Sequence, residues 1–298
     1  MNIRDVAYQT RMLKVLHYID QHLDEDLSLE SLSEVAAFSK FHFHRQFSDY
    51  FGIAAIRYVQ LLRFKKAAHA LAFREHRQVI DIALESGYES SEAFSRAFKK
   101  SLGQSPAHFR KQPQWTTWQN SYLSLHHMRE QHMSVNHQLE DVKIITFPAT
   151  RIAVLEHRGD PALLSSSIQK FIAWRKQNKL PPAISATFNL IYDDLENCIP
   201  SQYRFDLGAA VQAPVADNAA GIVNKIIPEG SCAVLRHTGS DALLGASVRF
   251  LYSQWLPQSG ASLRDFPLFL QRLSFFPDVP EHQMSTDIFL PLNQVSTP

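Results

Sequence analysis

Two segments near the start of the chain repeat one pattern of apolar and polar positions. In residues 28–52 and again in residues 79–106, a few apolar residues at helical spacing come before a turn, a serine and a longer helical pattern. Ser39 and Ser90 stand at the N-cap position of the second helix in each segment, and Gly87 supplies a turn. Each segment is therefore predicted to be a pair of helices joined by a tight turn.

The second helix of each pair has a buried side and an exposed side. Phe43, Phe47 and Tyr50 share one side of the first helix, and Phe94 and Phe98 share one side of the second, so these aromatic residues are predicted to be buried. The opposite sides are predicted to face solvent. Face 1 consists of Phe41, His44, Arg45 and Ser48, and face 2 consists of Ser91, Glu92, Ser95, Arg96 and Lys99.

Both faces suit base recognition in the major groove of DNA. An arginine on an exposed helix can donate two hydrogen bonds to guanine, and Phe41 can pack on the methyl group of thymine. Two other interpretations stay open. His44 and Arg45 are also ordinary residues for a solvated helix, and Glu92 and Arg96 are four residues apart, as in a surface ion pair. Spacing does not separate that ion pair from a Glu92 that accepts from cytosine beside an arginine bound to guanine or phosphate.

The two helix pairs are joined by residues 54–74, which contain no glycine or proline and keep apolar residues near helical spacing. They are predicted to form one helix of about 20 residues, which spans about 30 Å at 1.5 Å per residue. Successive major grooves on one side of B-DNA lie about 34 Å apart. One chain is therefore expected to present both recognition helices to consecutive grooves.

Residues 112–139 are rich in Gln, Asn, Ser and His and weak in periodicity, and they are predicted to be a linker. This divides the chain of 298 residues into a domain at 1–111, the linker and a domain at 140–298. The histidines of the linker suggest a zinc site, but no cysteine or carboxylate is spaced to complete one, so solvated histidines are favoured. These histidines are His126, His127, His132 and His137.

The second half contains an internal repeat. Residues 153–167 (AVLEHRGDPALLSSS) and residues 233–247 (AVLRHTGSDALLGAS) are identical at nine of fifteen positions. Each copy predicts a strand, a turn and a helix, and further strand patterns occur at 143–147, 205–212 and 286–291. The predicted fold class is therefore multidomain: an all-α domain with two helix-turn-helix units, followed by a pseudo-twofold α+β domain with a groove where its halves meet.

Composition narrows the class of protein. Residues 1–111 carry 16 Lys and Arg against 13 Asp and Glu, which agrees in sign with phosphate contacts but does not by itself indicate DNA binding. Two cysteines and the lack of a long apolar run in the sequence favour a cytoplasmic chain with reduced thiols and no membrane partner. The sequence has no nucleophile elbow, phosphate-binding glycine loop or metal triad, so no catalytic residue, cofactor or metal is expected.

The first part resembles the DNA-binding domain of the AraC/XylS regulators. The resemblance rests on IALESGYESSEAFSRAFKKSLGQSPAHFR at residues 82–110, which follows the family pattern from Ile-Ala through Gly-Tyr to Gly-x-Ser-Pro. It implies an all-α double helix-turn-helix fold. The family's base-facing positions fall on Phe41, His44 and Arg45 and on Ser91, Glu92, Ser95 and Arg96. Ala55 and Ile56 depart from the pattern, which often has a proline at the start of the connector.

The second part is similar to the GyrI-like effector-binding domain. RIAVLEHRGD, NLIYDD, IPEGSCAVLRHTGS, WLPQSG and STDIFLPL carry this resemblance, which covers most of residues 140–293. It implies a duplicated SHS2 fold with an aromatic pocket, whose candidate lining is Trp174, Tyr192, Trp255, Phe269 and Phe276. Leu270 stands where the family pattern often has a cation-holding glutamate, so the ligand is expected to be apolar and either neutral or anionic.

Together the two resemblances imply a sequence-specific bacterial transcription regulator. It is expected to act as an activator on double-stranded DNA, with RNA polymerase as a partner and a small apolar effector, in the cytoplasm at the nucleoid. Two alternatives for the second part stay open. One is a small-molecule hydrolase, against which Leu270 argues, and the other is a module for protein interaction or sequestration.

Overall fold

The computed structural model describes residues 3–193 and 198–293. The chain divides into two compact units: unit 1 comprises Met1–Ser134 and Phe276–His282, and unit 2 comprises Val135–Phe275 and Gln283–Pro298. Within the described ranges, no helix has both the length and the apolar character needed to cross a membrane. Asp194, the last residue of the NLIYDD motif, lies outside the described residues.

In its described residues, unit 1 is all-α. Its helices are α1 (Ile3–Gln21), α2 (Leu29–Val35), α3 (Lys40–Phe51), α4 (Ala55–Phe73), α5 (Val79–Glu85), α6 (Ser91–Leu102), α7 (Pro106–Lys111) and α8 (Trp115–His132). The two predicted helix pairs are α2 with α3 and α5 with α6. Helix α4 confirms the predicted connector, with each end within one residue of the prediction.

Serine caps and left-handed residues set the ends of the helix pairs. Ser28 and Ser90 accept hydrogen bonds from backbone N–H groups at 3.1 and 3.2 Å, and Ser39 caps α3 without a side-chain bond. Ala37 lies in the turn between α2 and α3 at φ 54°, and Gly87 lies in the turn between α5 and α6 at φ 80°. Each pair therefore turns sharply within a few residues, as a helix-turn-helix does.

Aromatic side chains around α4 form a large part of the core of unit 1. The ring of Phe64 stacks on Tyr88 at 6.0 Å between centroids. It also meets Phe94 and Phe98 edge-on at 6.1 and 5.7 Å. These contacts hold α6 against α4 and leave its other side exposed.

The buried side of α3 differs from the prediction by one residue. Phe43, Phe47 and Phe51 are buried, whereas Tyr50 is half-buried and packs edge-on against Tyr8 of α1 at 5.6 Å. Steps of four residues keep the three phenylalanines on the core side of the helix.

Helix α8 corrects the prediction of an irregular linker at residues 112–139. Its buried side chains are Trp115, Trp118, Tyr122, Leu125, Met128 and Arg129. Trp115 packs edge-on against Phe109 of α7 at 5.4 Å, and Arg129 donates to both carboxylate oxygens of Asp20 in α1 at 2.8 and 2.7 Å. The helix is therefore part of the core of unit 1.

In its described residues, unit 2 contains an eight-stranded antiparallel sheet in the order β1-β6-β8-β7-β3-β4-β2-β5. The strands are β1 (Lys143–Phe147), β2 (Thr150–Arg158), β3 (Thr187–Ile191), β4 (Arg204–Ala210), β5 (Ile222–Ile227), β6 (Gly230–Thr238), β7 (Leu268–Arg272) and β8 (Ser285–Pro291). Helix α9 (Leu164–Gln177) follows β2. Helix α10 (Leu244–Phe250), a π-helical turn (Leu251–Trp255) and α11 (Leu256–Ser259) follow β6. If the strands of the first half, β1 to β4, are exchanged in sequence with those of the second half, β5 to β8, the same order is obtained from the other edge of the sheet. This symmetry confirms the predicted pseudo-twofold α+β fold.

Alternate strand residues build a core on each side of this sheet. On the helical side, Phe171 and Trp174 of α9 pack on Ala153 and Leu207 in a cluster that we call the first-copy core. Trp255 packs with Ala233, Leu270 and Ile288 in a cluster that we call the second-copy core. The other side carries a cluster that we call the phenylalanine cluster. It consists of Phe147, Phe188, Phe269 and Phe289 with aliphatic neighbours, and the rings of Phe269 and Phe289 stack at 4.8 Å.

Candidate functional site

Face 1 is an exposed strip along α3. The side chain of Phe41 is 87% exposed, His44 and Arg45 are exposed, and Ser48 is half-buried. Within residues 3–193 and 198–293, the side chains of His44 and Arg45 have no hydrogen bond or ion pair. The structure thus brings an exposed aromatic ring, an imidazole and an unpaired guanidinium together on one helix.

Face 2 is the corresponding strip along α6. Glu92, Arg96 and Lys99 are exposed, and Ser91 and Ser95 are half-buried. Among the described residues, Arg96 and Lys99 form no ion pair, so Glu92 and Arg96 do not make the surface pair that their spacing allows. The pKa of Glu92 lies below its ordinary value because its own backbone N–H and the side chain of Ser91 donate to the carboxylate, with a smaller contribution from the nearby charge of Arg96. The guanidinium of Arg96 is therefore available to an outside acceptor.

Two lysines of α4 differ from the cations of the two faces because acids of unit 1 pair with them. Lys65 forms an ion pair with Glu281, and Lys66 forms one with Asp24 at 2.6 Å. Positive charge without a partner in unit 1 is thus found on both recognition helices. Unpaired arginines on exposed helices are the side chains that bind guanine and phosphate in protein–DNA complexes.

A polar cluster lies in unit 2 on the side of the sheet that carries the phenylalanine cluster. Asp206 is fully buried and accepts from Lys225 Nζ at 2.6 Å, from the Tyr192 hydroxyl at 2.8 Å and from Arg158 Nη1 at 3.1 Å. Glu156 pairs with both cations, at 3.0 Å from Arg158 Nη2. Two carboxylates are therefore neutralised by two cations of the same unit.

The protonation states of this cluster follow from its contacts. Burial lowers the pKa of Lys225, but the hydrogen bonds to Asp206 and Glu156 outweigh burial and raise that pKa above its ordinary value. The hydrogen bond from Lys225 holds the pKa of Glu156 below its usual range. Burial, reinforced by Asp206, raises the pKa of the Tyr192 phenol. Lys225 and Glu156 are therefore ionised and paired with each other, beside a neutral Tyr192.

Comparisons with known protein families identify the family of the chain that carries faces 1 and 2 in unit 1 and the polar cluster in unit 2. A model of the GyrI-like small molecule binding domain matches residues 140–293, which is more than half of the 298 residues. The chain belongs to the GyrI-like family. A helix-turn-helix model matches residues 32–112, and this part of the GyrI-like protein is of the AraC type.

Relatives of this GyrI-like protein include named regulators. It is 37% identical over 153 residues to the probable transcriptional regulator YgiV of Escherichia coli (strain K12). This match covers 51% of this chain and 96% of that protein. It is 38% identical over 104 residues to the right origin-binding protein of the same strain, over 35% of this chain and 36% of that protein. A solved structure of the DNA-binding domain of AdpA with a target DNA is similar at 28% identity and TM-score 0.32, over 35% of this chain and 97% of that one. The two family models and the named relatives of Escherichia coli show that the chain is a transcriptional regulator with an AraC-type helix-turn-helix part and a GyrI-like domain.

The structure does not bring the five predicted ligand residues together. Trp174 lies in the first-copy core, where it also lines a groove. Trp255 lies in the second-copy core, and Phe269 lies in the phenylalanine cluster on the opposite side of the sheet. Tyr192 belongs to the polar cluster and also packs against the phenylalanine cluster that contains Phe269. Phe276 belongs to unit 1, where its ring meets that of His69 edge-on at 4.9 Å. One pocket lined by all five is therefore not formed in the described part of the chain.

Leu270 sits where the family pattern often places its acid. It is fully buried in the second-copy core beside Trp255, while the neighbouring Arg272 donates to Asn189 Oδ1 at 3.0 Å and pairs with Asp241. Sequence reasoning missed Asp206 and Lys225. The sequence signal that could have found them is a charged residue within a mainly apolar strand, Asp206 in β4 and Lys225 in β5.

The four histidines of the predicted linker do not converge on one site, although the rings of His126 and His127 lie 6.4 Å apart. His126 lies 3.3 Å from Glu130, the ring of His132 packs on Phe51 at 5.0 Å, and His137 bonds to the Ser247 hydroxyl at 2.8 Å. Within the described ranges, no three His, Cys, Asp or Glu side chains converge in a metal-binding group.

Proposed function

We propose that this regulator binds two consecutive major grooves of one duplex, with face 1 in one groove and face 2 in the next. The observation that carries this proposal is the unpaired arginine on each exposed face, Arg45 and Arg96. Helix α4 has 19 residues, which corresponds to about 28 Å at 1.5 Å per residue and suits the spacing of about 34 Å between successive grooves. One chain is then sufficient for a site that spans both grooves.

Hydroxyl-radical footprinting of the full chain on a selected DNA site tests this arrangement. One protein per duplex should protect two backbone regions about 10 base pairs apart. A single protected region would contradict it, as would a second region that appears only when two proteins are bound.

We propose that the regulator is an activator that contacts RNA polymerase and acts in the cytoplasm at the nucleoid. Transcription in vitro from a template with the site upstream of a promoter should increase when the protein is added. A decrease in transcription would contradict activation and would indicate a repressor.

We propose that the GyrI-like domain modulates DNA binding through a small apolar ligand that is neutral or anionic. Leu270 leaves no carboxylate in the second-copy core, and Glu156 and Asp206 already pair with Lys225 and Arg158. Selection for a cation needs a buried charge that lacks a partner. Ethidium, a quaternary dye, is therefore expected to bind weakly to the full chain without DNA. Tight ethidium binding that Glu156→Gln abolishes would contradict this preference.

Two other roles for the GyrI-like domain give different results in the same experiments. A hydrolase would convert a bound molecule into products, and a sequestration module would bind its partner without changing affinity for DNA. The modulation proposed here predicts a ligand-dependent change in DNA affinity and the same factor of change in ligand affinity when DNA is bound.

A further inference from the structure

A groove of about 920 Å³ opens in unit 2 beside the edge strand β5. Arg151 of β2 and Ile226 of β5 form its floor and stand directly opposite each other in the sheet. The end of α9 and the residues after it, including Trp174 and Ile184, form one wall. Ile184 and Ile226 are 73% and 54% exposed, so the groove presents apolar surface to water.

Arg151 places an unpaired positive charge in this apolar groove. Its side chain is half-buried, and among the residues that the structure describes its guanidinium has no hydrogen bond or ion pair. Two other arginines on the strands of unit 2 are held by acids: Arg236 by Asp287 at 2.8 Å and Arg204 by Asp193 at 2.8 Å. A cation that is partly removed from water and has no partner is unfavourable until an anion binds it.

The second copy of the repeat indicates that the fold does not need this arginine. Ser231 stands eighty residues after Arg151 and has the same place in the sheet. The backbone N–H of Val211 donates to the carbonyl of Arg151 at 3.0 Å, and that of Leu292 donates to the carbonyl of Ser231 at 2.9 Å. The same backbone arrangement forms with serine, so Arg151→Ser is a substitution that this sheet already accommodates.

We propose that the groove binds a small amphipathic anion. Arg151 holds its carboxylate, sulfonate or sulfate group, and its apolar body lies on the exposed Ile184 and Ile226, next to Trp174, which is only 5% exposed. The groove volume falls within the range of about 300–1,000 Å³ that is typical of small-molecule sites. As a regulatory site it rests on the ligand modulation proposed above, for which it specifies the location and the charge of the ligand.

Two fluorescent probes with the same aromatic skeleton test the proposal. 1-Anilinonaphthalene-8-sulfonate carries an anionic group, and N-phenyl-1-naphthylamine lacks it. Each probe is titrated into the full chain without DNA. The wild-type chain should bind the sulfonate about tenfold more tightly than the neutral probe, because the sulfonate accepts charge-assisted hydrogen bonds from Arg151 that the neutral probe cannot make. Arg151→Ser should remove this difference, and it should weaken binding of the sulfonate much more than binding of the neutral probe.

Two further variants separate the groove from general charge effects. Lys143→Ser removes the same charge from an exposed site on β1, the opposite edge strand, and should bind both probes like the wild type. Ile184→Asp adds a negative charge to the groove wall at an exposed position and should weaken sulfonate binding without changing the melting temperature. Equal sulfonate binding by the wild type and Arg151→Ser would overturn the proposal, and so would equal losses in Arg151→Ser and Lys143→Ser.

Measurement of DNA affinity on the same proteins distinguishes two claims: that the groove binds an anion, and that ligand binding changes the affinity for DNA. If the sulfonate requires Arg151 but leaves DNA affinity unchanged, the groove is a ligand site and the proposed modulation fails. If a ligand changes the DNA affinity of Arg151→Ser as it does that of the wild type, the modulation stands and this groove is not its site.

Discussion

The guanidinium of Arg129 donates a 2.7 Å hydrogen bond to the phenolic oxygen of Tyr58. Its other contacts are the two carboxylate oxygens of Asp20, and all three side chains are buried or nearly so. Burial raises the pKa of Tyr58, so the phenol is neutral. Because Tyr58 lies in α4, Arg129 in α8 and Asp20 in α1, one buried polar group joins the connector to two other helices.

Removal of Arg129 should destabilise unit 1 strongly. Arg129→Ala leaves the Asp20 carboxylate buried without its cation, and such a loss costs about 3–5 kcal/mol. Urea titration followed by circular dichroism measures the free energy of unfolding. Arg57→Ala on the exposed side of α4 is the matched control and should change it by about 0.5 kcal/mol or less. Similar losses in the two variants would show that the buried group is not important for stability.

Gly87 and Gly52 separate two costs of adding a side chain. Both have left-handed backbones, at φ 80° and 70°. A Cβ at Gly87 would lie 2.5 Å from Nη1 of Arg63, whereas nothing lies within 4 Å of one at Gly52. Gly52→Ala should therefore cost about 1–2 kcal/mol of strain. Gly87→Ala should cost about 2 kcal/mol more, because Arg63 also bonds to the carbonyls of Leu23 and Glu25. Equal losses in unfolding free energy would exclude the steric contribution of Arg63.

The repeated histidines of unit 2 predict a loss of stability in mild acid. His157 and His237 each contact a serine hydroxyl, at 2.9 and 2.8 Å, and burial lowers the pKa of both. The unfolded chain, with an ordinary histidine pKa of about 6.5, then binds more protons than the folded chain as the pH falls. Stability should be full above about pH 6.5 and should decrease towards the folded pKa values. Urea titrations at about pH 7.5 and 5 measure the decrease, which should be smaller in His237→Gln. An unchanged pH dependence in that variant would contradict the assignment to His237.

The sequence predicted the helix pairs, the connector and the repeat because their patterns are dense. Phe94 and Phe98 of α6 are four residues apart, and α4 contains no helix breaker, so periodicity alone located these elements. Helix α8 was missed although its apolar residues also follow helical spacing. Glutamines, serines and histidines between Trp115 and Met128 weakened that signal, and the indole rings that anchor α8 gain their stability only from tertiary packing.

The ligand residues were harder to predict because both sides of the sheet in unit 2 are buried. Phe269 and Leu270 are adjacent and apolar, yet they enter different cores on opposite sides. Alternation in the sequence separates the two sides but does not tell which one forms a pocket. An arginine such as Arg151 does not indicate an anion site from the sequence alone. It does so only when the structure shows that its guanidinium has no partner among the described residues.

The central claim is that faces 1 and 2 recognise bases, and selection of bound sequences from a random duplex pool tests it most directly. Arg45→Ala should lose base preference in one part of the site, and Arg96→Ala should lose it in another part about 10 base pairs away. Each variant should bind the preferred site more weakly by about 1–3 kcal/mol, while Lys99→Ala should weaken binding to all sequences alike. If both arginine variants keep full affinity and an unchanged sequence preference, these faces are not the surfaces that recognise DNA.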